Sequence, residues 1–172
     1  MTDVPITAYL FVGVFDVASA ALTASHPVVA RQLYVAGLWL MAGGVAVSLF
    51  AALTGWADWH RSSEPGTQAR RTINAHAITM ITATLLALCD LGLRGLAFSS
   101  ATRPPAIIVV LSVAVATVVA FGATIGGSVV YDYGFNVETA GDHPAWHHNE
   151  VDVLPGRKAT QPEAAELTGK GA

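Results

Sequence analysis

The sequence predicts an all-α integral membrane protein, an up-and-down four-helix bundle followed by a short tail outside the bilayer. Of its 172 residues, 53% are hydrophobic and only 12% are charged, against roughly 25% charged in a soluble domain. Mean hydropathy is +0.51. The apolar residues gather in four runs, each as long as the roughly 20 residues a helix needs to cross a ~30 Å hydrocarbon core. A single soluble core of this size could not bury four such runs.

The first run is Pro5–Ser25. Its start, Met1-Thr-Asp-Val-Pro5, lacks the positive n-region of a secretory signal, and Asp16 interrupts the apolar stretch. A retained helix is expected, although Ala18-Ser-Ala20 resembles a small-residue cleavage site. The second, third and fourth runs are Leu33–Ala57, Ile73–Phe98 and Pro105–Tyr131. Pro5 and Pro105 stand at helix starts, where a missing N–H costs nothing.

The connections 26–32 and 99–104 are short, so each should join antiparallel neighbours. The middle connection, Trp59 to Thr72, is longer and polar. It places Arg61, Arg70 and Arg71 on the side of both termini, with Arg31, Arg94 and Arg103 on the other. Arg157 and Lys158 tip the positive-inside balance towards cytoplasmic termini in a bacterial inner membrane. Residues 1–131 thus read as the transmembrane domain and 132–172 as an acidic polar tail. The tail is too poor in apolar residues to fold alone, and its last part is expected to be disordered.

Composition also excludes some functions. No basic patch points to nucleic acid. The single cysteine, Cys89, builds neither a disulfide nor a thiolate metal site within one chain, and reads as a small buried apolar residue. No nucleophile–base pair or phosphate loop is present, so an enzyme is not expected.

Helical spacing sorts the remaining polar residues onto faces. In the second run Gly37, Met41, Gly44, Ser48, Ala51, Gly55 and Asp58 alternate by four and three and form one stripe. In lipid, small residues of this kind let helices approach closely, so the stripe reads first as a packing seam. Gly122 and Gly126 offer a second close-packing pair in the fourth run. The first run carries Tyr9, Gly13, Asp16, Ser19 and Thr23 on one stripe, and the third carries His76, Met80, Ala83, Ala87, Asp90 and Arg94.

An ionised carboxylate at the bilayer centre costs at least ~2.5–3.5 kcal/mol, so Asp16 needs a partner, a proton or water. Helical rise puts Asp16 and Asp90 at similar depth, with Arg94 one turn beyond Asp90. Asp16, Asp90 and Arg94 are therefore the candidate intramembrane polar cluster. At the opposite interface Asp58, Asn74, His76 and Tyr131 form a second candidate group, in which Asp58 could orient the His76 imidazole or a polar clamp could tie helix ends together.

Three stretches carry a family resemblance: Gly55-Trp-Ala-Asp58-Trp59, Ala75-His76, and Gly126-Gly-Ser-Val-Val-Tyr131-Asp-Tyr-Gly134-Phe-Asn-Val137. With them the chain resembles the bacterial membrane proteins grouped as the domain of unknown function DUF2231. The resemblance covers all four helices. It implies a four-helix membrane domain and, because relatives stand beside or are fused to Rieske-type iron–sulfur domains, proximity to electron transfer. Many relatives carry His-Pro just before the first helix, whereas this chain has Val4-Pro5 there.

Three functional readings follow. In the first, the bundle is an accessory or anchor subunit in the lipid bilayer that docks a membrane or redox partner through the middle loop and the tail. The run His143-Pro-Ala-Trp146-His147-His148-Asn-Glu150 suits docking. In the second, the bundle carries b-type haem, which needs two histidines at matching depth on facing helices. Only His76 lies well within a helix; His60 lies beyond the second run and His26 at the other face. In the third, Asp16, Asp90 and Arg94 line a small transporter or proton channel, which four helices would build only as a homo-oligomer. A metal site from His143, His147 and His148 fits by ligand type, but its flexible setting implies weak affinity.

Overall fold

A computed structural model describes residues 3–62, 65–97 and 103–131. They form four helices: α1 Asp3–Leu22, α2 Pro27–Ser62, α3 Gln68–Ala97 and α4 Ala106–Tyr131. Among the described residues there is no strand. All four helices are long and apolar enough to cross a membrane, and the N-terminal end of α1 and the C-terminal end of α4 lie at the same end of the bundle. Residues 132–172, with His143, Trp146, His147 and His148, lie outside the described residues.

Two helices run further than hydropathy alone marks. The start of α2 lies at Pro27, ahead of the predicted Leu33, and takes Arg31 and Gln32 into its first turns. Proline suits that first position because the N–H it lacks would have no helical partner. The α1–α2 corner is closed by the His26 N–H donating to the Leu22 carbonyl at 2.8 Å. Likewise α3 begins ahead of Ile73, because Thr67 caps it. The Thr67 hydroxyl accepts the Arg70 backbone N–H at 3.2 Å, satisfying one of the orphan donors of the first turn. Gly66 takes φ 82° in the turn before it, a region glycine enters without a Cβ penalty.

The helices stand in ring order α1, α2, α3, α4, with α2–α3 the thinnest seam. Hence α1 and α3 face each other across a diagonal. The core draws on every helix: Tyr9 and Val12, Met41 and Val45, Ala83 and Ala87, Val115 and Val119. Large apolar side chains cover the outside instead, with Trp39 71%, Phe121 66% and Leu96 83% exposed. Such exposure suits lipid, where an apolar exterior costs nothing. Cys89 also lies on the exposed face rather than inside. It stands one residue, about 100° of helix, from the inward-facing Asp90.

Small residues in the seams make room for particular side chains. A Cβ on Gly44 would lie 2.8 Å from Tyr9 Cε1 and 3.2 Å from Ala8 Cβ, so α1 lays the Tyr9 ring against bare α2 backbone. One turn on, the Tyr9 and Ser48 hydroxyls hydrogen-bond at 2.9 Å, both buried. There the α2 seam ends. Gly55 is exposed, with no atom of the described residues within 4 Å of where its Cβ would be.

Candidate functional site

Among the described residues, the interior of the bundle holds one ion cluster. Asp16 on α1, Asp90 on α3 and Arg94 on α3 are all fully buried. Arg94 Nε donates to Asp90 Oδ1 at 3.1 Å and Nη2 to Asp90 Oδ2 at 3.1 Å. Its other edge takes Asp16, with Nη1 donating to Oδ1 at 3.1 Å and Nη2 donating to Oδ2. Each carboxylate is thus held by two donors of one planar guanidinium. Only arginine offers that fork, since a lysine ammonium is a point donor on a flexible stem. The spacing of Asp90 and Arg94, one helical turn, puts them on the same face.

The second helix builds the wall of this cluster. A Cβ on Gly37 would lie 3.3 Å from Arg94 Nη1 and 3.3 Å from Asp16 Oδ1, so glycine leaves the space the ions fill. Tyr34, one turn earlier, is buried, and the Arg94 guanidinium carbon lies 5.6 Å from its ring centroid. The Tyr34 hydroxyl is the one buried side-chain polar atom among the described residues without a hydrogen-bond partner. Next to the cluster, Ser19 donates to the Ala30 carbonyl at 2.6 Å and ties α1 to α2. Sequence reasoning reached Gly37 as a packing residue and did not single out Tyr34. The signal was present: Tyr34 continues the Gly37, Met41, Gly44 stripe by one step of three.

At the other end the residues of the second group find different partners. His76 Nδ1 hydrogen-bonds the Gly122 carbonyl of α4 at 2.8 Å. Its ring fills the notch at Gly126, where a Cβ would lie 2.8 Å from His76 Cε1. Met80 fills the notch at Gly122 in the same way. The Gly122/Gly126 pair therefore receives two α3 side chains instead of bringing two backbones together. Asn74 accepts from Trp59 Nε1 at 2.7 Å, and Tyr131 is 89% exposed. Among the described residues no hydrogen bond joins Asp58 to His76.

An aromatic and basic platform covers the α2–α3 turn. The Arg70 guanidinium carbon lies 3.8 Å from the Trp59 ring centroid, a cation–π distance. His60 stacks on Trp56 and on Trp59, with ring centroids 6.3 and 6.5 Å apart. This puts His60 on the outer surface, away from His76, and His26 stands at the opposite end of the bundle, in the α1–α2 corner. Among the described residues no group of three His, Cys, Asp or Glu side chains is placed to hold a metal ion.

The model of the DUF2231 family, described as a predicted membrane protein, matches residues 2–139. The chain belongs to that family. The match takes in all four helices, the ion cluster and the α2–α3 platform of this DUF2231 protein. No curated protein and no solved structure matches it.

Proposed function

We propose that this DUF2231 protein is a membrane-embedded accessory module that anchors or supports a partner protein. The observation that carries this reading is how its buried polar groups are used. Arg94 spans α1 and α3 through two carboxylates, Tyr9 and Ser48 join α1 to α2, and His76 joins α3 to α4. Polar side chains in a bilayer interior are expensive and are kept for a purpose. These groups hold one helix to another, as a scaffold requires, whereas Ser112 bonds the Val109 carbonyl of its own helix and the Tyr34 hydroxyl has no partner among the described residues. Recognition then falls to the surface at the α2–α3 turn, where Trp56 is 67% exposed beside the Trp59–Arg70 pair, and to the residues after Tyr131. Tryptophan and arginine are the residue types that most often anchor protein interfaces.

The partner is of the respiratory or electron-transfer kind, in a bacterial inner membrane with the platform and both termini on the cytoplasmic side. The first part rests on the family resemblance, whose members stand beside Rieske-type iron–sulfur domains. The second rests on the arginines of the turn together with Arg157 and Lys158.

Purification from native membranes in mild detergent, with oxidised and dithionite-reduced absorption spectra of the product, tests this reading. A co-purifying redox subunit whose absorption is lost from the preparation when Trp59→Ala and Arg70→Ala are combined is the expected result. A partner-free bundle with its own reducible Soret band, abolished by His76→Ala, would overturn it in favour of a haem carrier.

A further inference from the structure

In the buried cluster the charges do not balance. Asp16 and Asp90 bring two carboxylates against one guanidinium, and all three side chains have no exposure. The other ionisable groups around them come from α2: Tyr34, and Arg31, whose guanidinium carbon lies 5.7 Å from the Tyr34 ring. Across its span α4 adds no acidic or basic side chain. Arg31 is only partly buried and stands near the start of α2, outside the hydrogen bonds that Arg94 makes to the two carboxylates. With both carboxylates ionised the triad would keep one uncompensated negative charge out of water inside the bundle, which is unfavourable. Moreover, both Oδ2 atoms converge on the same Arg94 Nη2. Two carboxylates that share a site do not readily ionise together.

We infer that the Asp16–Asp90 pair holds one exchangeable proton, so that the triad is a one-proton binding site within the bundle, reached past Tyr34. The second observation behind it is the Tyr34 hydroxyl, fully buried and without a partner, with the charges of Arg94, Asp16, Arg31 and Asp90 bearing on it. A hydroxyl both donates and accepts, which is what a relay between interface and carboxylate requires. Depth fixes the side of access. Asp16 precedes the end of α1 by six residues, about 9 Å of rise, and Arg94 stands in the last turn of α3. The cluster is therefore nearer the end that bears the α1–α2 and α3–α4 connections. The proton enters from water at that end and returns there, and only O–H bonds form and break. Because the two acids act as a unit, the proton belongs to the pair and not to either residue.

The test is infrared spectroscopy of the full-length protein in lipid nanodiscs at neutral pH, with isotope-labelled aspartate. The expected result is a carbonyl band of a protonated carboxyl group that carries the label, shifts in D2O, and is lost in Asp90→Asn and in Asp16→Asn. Tyr34→Phe should keep the band and slow its shift in D2O. Absence of a labelled protonated-carboxyl band from the folded wild-type protein would overturn the proposal. So would a band that appears only when sodium is removed, since a metal cation would then balance the charge, or a band left unchanged by both substitutions. These outcomes leave the accessory reading untouched, since that reading concerns a partner and not a proton.

Discussion

Arg94 on α3 reaches Asp16 on α1 across the diagonal of the bundle, with Nη1 donating to Oδ1 at 3.1 Å. These two helices are not ring neighbours, and the ion contact bridges them directly. It also explains Gly37, whose missing Cβ leaves room between α2 and the pair. Three helices therefore meet at one guanidinium.

Removing that guanidinium should be the most damaging single change in the interior. Arg94→Met leaves two carboxylates facing each other in a dry site, and breaking a buried pair in this way costs about 3–5 kcal/mol. Arg94→Lys should fall between Arg94→Met and wild type, because one ammonium cannot hold both carboxylates by two donors each. Unfolding by denaturing detergent from mixed micelles measures the series.

Gly44 and Gly43 are adjacent and should respond in opposite ways. Gly44→Ala puts a methyl group 2.8 Å from the Tyr9 ring and should destabilise by about 1–3 kcal/mol, the usual penalty of overpacking. Gly43 has no atom within 4 Å of its Cβ position. Gly43→Ala should leave the midpoint of the same unfolding curve unchanged or raise it slightly.

Hydropathy marked the four helices because each apolar run is long enough to span, and the stripes placed the acids and Arg94 inward because small residues share their faces. The pairing itself was less legible. Depth and helical phase brought Asp16 and Asp90 to one level, but no spacing says which helices stand on a diagonal. At the other end phase failed to name a partner for His76. Its hydrogen-bond acceptor is the Gly122 backbone carbonyl, and a carbonyl carries no residue-type signal. Tyr34 was hidden by its chemistry, since an aromatic residue in an apolar run reads as core until its hydroxyl is seen without a partner.

Tyr9→Phe should cost little, despite a buried hydrogen bond to Ser48 at 2.9 Å. Side-chain hydrogen bonds between membrane helices average about 0.6 kcal/mol, because the unfolded chain in lipid also finds partners. A loss near that value in the detergent titration is expected. Tyr9→Ala should cost several times more, since it also empties the space against Gly44.

Gly126 and His76 should be coupled. Gly126→Ala pushes a methyl group to 2.8 Å from His76 Cε1 and should displace the ring from the Gly122 carbonyl. In the His76→Ala background the same substitution meets empty space. Its cost should shrink or change sign, a non-additivity of about 0.5–3 kcal/mol for residues in contact. Thermal unfolding of the two single variants and the double variant reads it.

The central claim is that the intramembrane charges hold the bundle together, and a double-mutant cycle on Asp16 and Arg94 tests it most directly. Asp16→Ala, Arg94→Ala and the combined variant are unfolded by denaturing detergent in the same micelles. The account predicts a coupling in the upper part of the roughly 0.5–3 kcal/mol range seen for contacting residues, with the double variant more stable than the sum of the single losses implies. Additivity within about 0.3–0.5 kcal/mol, the behaviour of distant and independent sites, would contradict it.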